Sequence, residues 1–380
     1  MNSNNTPCIS IIGIGHILLD IVYKLNDKMI DKYNLVYNGT SISNSKSKDL
    51  FYEIEKCNCM RLTGGSIVNS IRTLNWILKH TCSESNLYKV SLLGSVGSDE
   101  FGKNIIDSLK KEGINCLVDI IPKQSTSKCA VGIINDARCL LADINASDKV
   151  NTLFIKSMIK EVVNHNTLVV EGYFADKDCF SACKYIIDEY IDYHKLNELN
   201  NISSNKNICL SLSSATNVVK KFENIFYLVQ RSNIIFGNKD EFLALIKMVQ
   251  NKLNKYCQYF TNKDLVKYLF ENISFINTKT NKLFIISNGN MPVTISSYNY
   301  VNNTIDYYKE VKVLSINKEN IVDTNGAGDA LLAGFLAEYV RDCKKDYSKC
   351  ISMGIYASYE ILQKTGCQLP NTFNYNKFFQ

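Results

Sequence analysis

The sequence predicts an α/β fold in which a doubly wound, mostly parallel sheet is accompanied by a small β-rich domain. Short, nearly continuous apolar segments alternate with segments whose apolar residues recur at helical spacing. Such apolar segments are typical of parallel strands covered on both faces, and their alternation with helices is typical of doubly wound sheets. Two segments, around residues 21–63 and 116–145, contain short alternating pieces instead. We expect these two segments to pair as a separate small sheet.

The strands of the main sheet are predicted from six apolar segments, most of which end at Gly, Ser or Asn. They are Cys8–Gly15, Lys89–Gly97, Thr167–Phe174, Ile208–Ser214, Asn233–Asn238 and Leu283–Gly289. The helices are predicted from apolar residues at spacings of three and four. Val68, Ile71, Leu74 and Leu78 mark one helix, and Gly113 is a plausible end for another.

These assignments divide the chain into two structural parts. A large α/β domain is expected over residues 1–20, 64–115 and 146–380. A small lid domain is expected over residues 21–63 and 116–145. A chain of 380 residues with 46% hydrophobic residues is long enough to bury a sizeable core.

Composition argues against several classes of protein. The net charge of +6 is mild, and the lysines are scattered without interleaved aromatic residues, so we expect no nucleic-acid partner. We see neither a signal peptide nor an apolar run of membrane-spanning length, so we expect a cytoplasmic protein without a membrane partner. The fourteen cysteines form no C-x-x-C pair, and only four histidines accompany them. Their spacing in the sequence gives no indication of a zinc site, and we expect reduced thiols.

The stretch DTNGAGDALLAGF, from Asp323 to Phe335, places a glycine-rich turn directly before an apolar helical segment. A helix N-terminus exposes unpaired N–H groups, and Gly326, Ala327 and Gly328 would let the backbone approach a bound phosphate. A carboxylate at Asp329 would repel that phosphate. Two explanations account for a carboxylate at this position. Asp329 could accept the proton of a hydroxyl that attacks the phosphate, or it could only favour the helix start through the helix dipole.

Other glycine motifs are less informative alone. The sequence contains neither the G-x-G-x-x-G dinucleotide fingerprint after its first strand nor a P-loop. The stretch TGGSIVNSIR, residues 63–72, again places glycines just ahead of a helix, which is also compatible with a simple tight turn.

The motifs in combination resemble the ribokinase-like (PfkB) family of carbohydrate kinases, and within it the adenosine kinases. DTNGAGD and GSVGSDEFG resemble the two family signatures, and GGSIVNSIR resembles the N-terminal glycine pair and its helix. NKDE resembles the family's N-x-x-E motif, and KTGCQLP resembles a C-terminal adenosine kinase segment. These motifs occur in the family's order, and the resemblance covers about residues 9–370.

The resemblance implies ATP-dependent phosphorylation of the adenosine 5′-hydroxyl, giving AMP and ADP. Asp329 would be the general base, and the N–H groups of Gly326, Ala327 and Gly328 would bind the transferring phosphoryl group. Arg138 would close over the phosphates. Adenosine and ATP are therefore the expected partners, and Mg²⁺ is the expected cofactor.

The resemblance also implies the binding residues. Asp20 would bind the ribose hydroxyls, and Glu241 would organise Mg²⁺, through water rather than directly. The other positions implied to bind the nucleoside are Gly64, Gly65, Ser66, Asn69, Asn325 and the apolar residues Leu18, Ile42, Leu140 and Phe174. The other positions implied to contact ATP are Asn238, Ser287, Asn288 and Gly289.

Three positions depart from the adenosine kinase pattern. His16 and Ser211 stand where asparagines are common, and Ile355 stands where a histidine is often found. These differences affect the expected nucleoside preference and the detail of the nucleotide site, not the reaction type. A kinase for another nucleoside or sugar, and a catalytically silent relative, remain alternatives. We expect a monomer because the lid is rich in Asn and Lys.

Overall fold

The computed structural model describes residues 9–378 apart from 38, 46, 58, 135–136, 200–205, 259–260, 277–280 and 343–345. Its strands, in chain order, are β1 (Ile9–Ile14), β2 (Leu18–Lys24), β3 (Gly39–Ile42), β4 (Met60–Gly64), β5 (Tyr88–Gly97), β6 (Asn115–Ile121), β7 (Lys128–Ile134), β8 (Ala137–Asp143), β9 (Thr167–Glu171), β10 (Asn207–Ser211), β11 (Ile234–Asn238), β12 (Lys282–Asn288), β13 (Met291–Asn299) and β14 (Thr304–Val311).

The helices surround these strands. In chain order they are α1 (Asp27–Tyr33), α2 (Asp49–Glu55), α3 (Ser66–Thr81), α4 (Glu100–Lys111), α5 (Thr152–Val163), α6 (Lys177–Leu199), α7 (Ala215–Lys220), α8 (Phe222–Arg231), α9 (Lys239–Leu253), α10 (Asn262–Asn272), α11 (Ala327–Arg341) and α12 (Tyr347–Leu362). Within the described residues, no helix combines the length and the apolar character needed to cross a bilayer.

The large sheet has nine strands among the described residues, in the order β14-β13-β12-β11-β10-β9-β1-β5-β6. The strands from β12 to β6 all pair in parallel, and β13 and β14 are added to one edge as antiparallel strands. The predicted doubly wound α/β class is confirmed by this arrangement.

Alternate residues of the central strands pack on opposite faces of this sheet. On β11, Ile234 and Phe236 belong to the core beneath α3, α11 and α12, whereas Ile235 belongs to the core formed with α5, α6, α8, α9 and α10. Side chains of a strand point alternately to its two faces, so a strand covered by helices on both sides must be apolar throughout. This explains why the sequence shows continuous apolar segments rather than alternation.

The small sheet comprises five of the described strands, in the order β3-β8-β7-β2-β4. The observed strands differ from the sequence prediction at two segment boundaries. Strand β2 begins at Leu18, so Asp20 lies within the small sheet, paired with Leu62 and Cys129. Strand β6 was expected in the small sheet but pairs in parallel with β5 at the edge of the large sheet. Strand β6 is half-buried along most of its length rather than buried on both faces, so its sequence lacks the continuous apolar pattern that identified the central strands.

The chain passes repeatedly between the two sheets. Residues 15–17 lead from β1 into β2, and residues 144–151 lead from β8 back to α5. Strand β4 runs directly into α3, which packs on the large sheet. These crossovers place the small sheet over the carboxyl ends of β1 and β9, the edge at which doubly wound sheets bind ligands.

Candidate functional site

The glycine-rich turn predicted at residues 326–328 forms the N-terminus of α11. Gly326 has a φ of 79°, and a Cβ at this position would lie 2.8 Å from the Cβ of Cys367, so only glycine fits both the backbone and the space. Gly328 is exposed, and a Cβ there would meet nothing within 4 Å. The start of α11 is therefore open to solvent at Gly328, as an anion site requires.

The turn is held in place by Asp323, a residue that the sequence analysis did not single out. Its buried carboxylate accepts hydrogen bonds from the backbone N–H of Asn325 at 2.8 Å and of Gly366 at 2.8 Å. Gly366 lies in the KTGCQLP segment, so Asp323 joins two motifs that are far apart in sequence. The sequence feature that could have indicated this role is an acidic residue just before a glycine-rich turn.

Asp329 lies in the first turn of α11 and faces the N-terminus of α3. Its carboxylate accepts hydrogen bonds from Ser66 Oγ at 2.6 Å and from Asn69 Nδ2 at 3.1 Å. The approach of α3 depends on Gly65, which has a φ of 105° and would place a Cβ 2.4 Å from the carbonyl oxygen of His16. The two glycine motifs of the sequence therefore converge on one carboxylate.

The side-chain amide of Asn69 uses only one of its two polar atoms in hydrogen bonds to the described residues. Its Nδ2 donates to Asp329, while its buried Oδ1 makes no hydrogen bond to any residue that the structure describes. Buried polar atoms are nearly always hydrogen-bonded in folded proteins. A ligand hydroxyl that donates to Oδ1 would satisfy this atom.

Burial raises the pKa of Asp329 to about 6. The hydrogen bonds from Ser66 and Asn69 and the charge of Arg138 act in the opposite direction, and the charge of Glu171 adds to the rise. The carboxylate is therefore ionised at neutral pH, yet its pKa is close enough to 7 for it to accept a proton during a reaction.

Asp20 faces the same space from the small sheet. Burial, together with the charges of Asp329 and Asp323, raises its pKa to about 7, and Arg72 acts in the opposite direction. Gly64 leaves room for this carboxyl group, because a Cβ at Gly64 would lie 2.1 Å from the Cγ of Asp20.

Two contacts connect the small sheet to the large domain across the site. Arg138 on β8 donates a hydrogen bond from Nη1 to Oγ1 of Thr324, just before the glycine turn. Tyr173, which follows β9, forms a side-chain hydrogen bond with Thr40 on β3. Tyr173 is a second residue that the sequence analysis missed. Its burial, with the charges of Glu241, Glu171 and Asp329 nearby, raises its pKa.

Asn238 and Glu241 form a capping box at the start of α9. Glu241 donates its backbone N–H to Oδ1 of Asn238 at 2.9 Å, and its two carboxylate oxygens accept from the backbone and side-chain nitrogens of Asn238, each at 2.9 Å. Burial raises the pKa of Glu241 to about 7, and the charges of Asp329 and Asp240 add to the rise. Glu241 is thus a capping residue that also faces the charge of Asp329.

Ser287, Asn288 and Gly289 lie beside this cap. Ser287 pairs with Asn238 across the parallel strands β11 and β12, and the turn at Gly289 has a φ of 56°. The carboxyl ends of β11 and β12 therefore bring together all five residues that the sequence analysis assigned to ATP.

The four apolar residues predicted around a base are in different surroundings. Leu18 and Leu140 pack against the same small cluster of Val22, Cys129 and Val131 on the small sheet. Ile42 is 64% exposed at the end of β3, and Phe174 is completely buried in the core of the large domain. Phe174 contacts the His16 ring edge-on, with 5.3 Å between the ring centroids.

His16 lies in the crossover from β1 to β2 and is held by Glu171, a third residue that the sequence analysis missed. Glu171 is 1% exposed at the end of β9, and its carboxylate accepts from the backbone N–H of His16 at 2.5 Å and of Ile67 at 2.9 Å. Burial alone would lower the pKa of His16, but interactions with Asp148, Cys179 and Glu171 raise it well above its usual value. An acidic residue at the carboxyl end of a predicted strand was the signal for Glu171.

The other two positions that depart from the adenosine kinase pattern lie apart from His16. Ser211 ends β10 and pairs with Glu171 and Phe236 on the neighbouring strands. Ile355 is buried in α12 within the core under the large sheet.

Comparison with known proteins identifies relatives of the whole chain. The sequence profile described as pfkB family carbohydrate kinase matches residues 47–374. Adenosine kinase 2 of Arabidopsis thaliana is 24% identical over 373 residues, which are 96% of this chain and 97% of the relative. The adenosine kinase of Dictyostelium discoideum is 24% identical over 366 residues, which are 95% of this chain and 97% of that relative.

Solved structures share the fold. Adenosine kinase from Schistosoma mansoni in complex with 2-fluoroadenosine superposes with a TM-score of 0.81 at 22% identity, covering 97% of this chain and 98% of that one. Anopheles gambiae adenosine kinase in complex with P1,P4-di(adenosine-5) tetraphosphate gives a TM-score of 0.78 at 23% identity, with 95% and 97% covered.

The raised pKa of Asp20 predicts that this carboxylate destabilises the fold at high pH. An unfolded aspartate has a pKa of about 3.9. Between about pH 4 and pH 7 the folded state keeps a proton that the unfolded state has released, so stability falls as pH rises through this window. Asp20→Asn should therefore raise the free energy of unfolding on the order of 1–3 kcal/mol more at pH 8 than at pH 5.

Denaturant unfolding of the variant and the parent at both pH values measures this difference. Asp107→Asn, at an exposed position on α4, is the matched control for the loss of one carboxylate. If Asp20→Asn changed the free energy of unfolding equally at the two pH values, the pKa of the Asp20 carboxyl group would not be raised in the folded protein.

Proposed function

The chain belongs to the PfkB family of carbohydrate kinases, and we propose that within this family it is an adenosine kinase. It transfers the γ-phosphoryl group of ATP to the 5′-hydroxyl of adenosine and forms AMP and ADP. The proposal is carried by the half-buried carboxylate of Asp329, which lies beside a glycine-rich helix N-terminus and accepts hydrogen bonds from Ser66 and Asn69. It is supported by relatives named adenosine kinase that align along almost the whole chain.

In this mechanism Asp329 is the general base. The 5′-hydroxyl donates its hydrogen bond to the Asp329 carboxylate, and the proton moves to that carboxylate as the new oxygen–phosphorus bond forms. The bond between the γ-phosphorus and the bridging oxygen breaks, and ADP leaves. The N–H groups of Gly326, Ala327 and Gly328 donate to the phosphoryl oxygens where negative charge develops.

Mg²⁺ would be held near Glu241. Both oxygens of this carboxylate already accept hydrogen bonds from Asn238, so the side chain fits an ion through bound water better than as a direct ligand. The ion would neutralise charge on the ATP phosphates. Asn238, Ser287, Asn288 and Gly289 would contact ATP at the carboxyl ends of β11 and β12.

The nucleoside would lie between the two sheets. Asp20 and the available Oδ1 of Asn69 would accept hydrogen bonds from the sugar hydroxyls. Gly64, Gly65 and Asn325 would line the same space with their backbones. Leu18, Leu140 and the exposed Ile42 would contact the base from the small sheet, while Phe174 would act only through its contact with His16.

We further propose that the enzyme works as a cytoplasmic monomer. None of the described cysteines forms a disulfide, which suits a reducing compartment. Sedimentation and cell fractionation test these two statements, and a stable dimer or an exported protein would contradict them.

The reaction is tested with ATP and a panel of adenosine, guanosine, inosine and ribose. We expect ADP release with the highest kcat/KM for adenosine. A preference for ribose would favour a sugar kinase, and no ADP release with any acceptor would indicate a silent relative.

The role of Asp329 predicts the effect of one substitution. Asp329→Asn should retain adenosine binding and lower kcat by at least about 10²-fold, the usual scale for loss of a general base. Because the pKa of Asp329 is about 6, kcat of the parent should decline as pH falls below that value. Glu100→Gln removes an exposed acid from the first turn of α4 and controls for helix-dipole effects alone. A near-normal kcat for Asp329→Asn would contradict the assignment.

The role of Asp20 predicts selective loss of ribose binding. Removing one partner of a charge-assisted hydrogen bond costs about 1.5–3 kcal/mol, so Asp20→Ala should weaken adenosine binding roughly 10- to 150-fold. ATP binding should change little, and 2′-deoxyadenosine should lose less affinity than adenosine does. Calorimetry of both nucleosides with both proteins at pH 8 gives this coupling. Equal losses for the two nucleosides would remove Asp20 from the ribose site.

The small sheet is proposed to act as a lid. Arg138 and Thr40 already connect it to the large domain, and closure over bound adenosine would exclude water and align the hydroxyl with the phosphate. We expect small-angle scattering to show a more compact protein with adenosine than without it. Identical scattering curves would argue against lid movement.

A further inference from the structure

Three side chains from distant parts of the sequence meet beside the crossovers that connect the two sheets. His16 lies between β1 and β2, Asp148 lies between β8 and α5, and Cys179 lies in the first turn of α6. The nitrogen, oxygen and sulfur atoms of these side chains lie within 4.8 Å of one another. His16 and Cys179 are buried, and the Asp148 side chain is 24% exposed, which leaves a path from solvent.

Two of the three separations match the edges of a small coordination tetrahedron. Cys179 Sγ lies 3.3 Å from Asp148 Oδ1, and His16 Nε2 lies 3.7 Å from the same oxygen. Zinc binds nitrogen and oxygen ligands at about 2.0–2.2 Å and sulfur at about 2.3 Å, so neighbouring ligands of a tetrahedral ion are roughly 3.3–3.8 Å apart. An ion could therefore bind these atoms with small side-chain rotations.

The histidine is already oriented as a metal ligand. Its Nδ1 lies 3.2 Å from a carboxylate oxygen of Glu171, and its ring packs edge-on against Phe174. Its Nε2, buried with the rest of the side chain, makes no hydrogen bond to any described residue and faces Asp148. A carboxylate on one ring nitrogen with the other nitrogen directed at the ion is the usual arrangement around zinc-binding histidines.

We propose that His16 Nε2, Asp148 Oδ1 and Cys179 Sγ bind a zinc-type divalent cation, with water at a fourth position. The thiolate and imidazole ligands favour Zn²⁺ or Co²⁺ over the oxygen-seeking Mg²⁺. Binding displaces the thiol proton of Cys179 and the proton on Nε2 of His16, and both protons are released to solvent. The ion links both crossovers to α6, so it restrains the small sheet relative to the large domain.

Cobalt provides a direct spectroscopic test of the complete protein. Chelator-treated protein is titrated with Co²⁺ alone, and a thiolate-to-cobalt charge-transfer band with the intense visible bands of a four-coordinate ion reports the site. Cys183→Ser is the matched control, because Cys183 lies one turn further along α6 and is equally buried. We expect one saturable equivalent of the band in the parent and in Cys183→Ser, its loss in Cys179→Ser, and displacement of Co²⁺ by Zn²⁺.

A second variant keeps the test independent of any folding defect in Cys179→Ser. Asp148→Asn, at a half-buried position, should weaken Zn²⁺ at least about 10-fold in a chelator competition while the thiolate band remains at high Co²⁺. Equal bands in Cys179→Ser and Cys183→Ser, unchanged Zn²⁺ affinity in Asp148→Asn, or a weak six-coordinate spectrum without a thiolate band would each overturn the proposal. These measurements do not use the kinase reaction, so their failure and that of the proposed function are distinguishable.

Discussion

The structure depends on the burial of several carboxylates at one edge of the large sheet. Asp20, Glu241 and Asp329 each have a raised pKa, chiefly because burial penalises the charged form. Carboxylates that are close together and shielded from water also repel one another. Hydrogen-bond donors and helix N-termini face Glu241 and Asp329, whereas Asp20 is opposed by the charge of Arg72. A site of this kind is less stable than it could be until a ligand or cation binds.

Three helix N-termini face the carboxylates of Glu171, Glu241 and Asp329. The start of α3 faces Glu171 through the backbone N–H of Ile67 and faces Asp329 through Ser66 and Asn69. The start of α9 encloses Glu241 in its capping box, and Asp329 itself lies in the first turn of α11. Each glycine-rich turn therefore serves both packing and electrostatics, because glycine permits the close approach of the backbone that the buried acids need.

The small sheet and the large sheet contact each other at the same edge of the large sheet that carries these carboxylates. Chain crossovers, the Arg138–Thr324 hydrogen bond and the Glu171–His16 contact all lie where the small sheet meets the ends of the parallel strands. A movement of the small sheet would therefore change the surroundings of Asp20 and His16 together. We therefore expect a substitution at a crossover, such as histidine at position 16, to change both ligand binding and movement of the small sheet.

The sequence by itself determined the fold class and the local motifs of the family. Continuous apolar strands and glycine turns before helices are local patterns, and they indicated α11, α3 and Asp329 because backbone geometry and helix polarity act over a few residues. Only the tertiary structure decided which distant groups meet. Glu171, Asp323 and the grouping of His16, Asp148 and Cys179 depend on strand order and crossovers, and β6 was misassigned because pairing partners are not encoded in local alternation. Long-range contacts reflect the packing of the whole chain, so spacing in sequence could not reveal them.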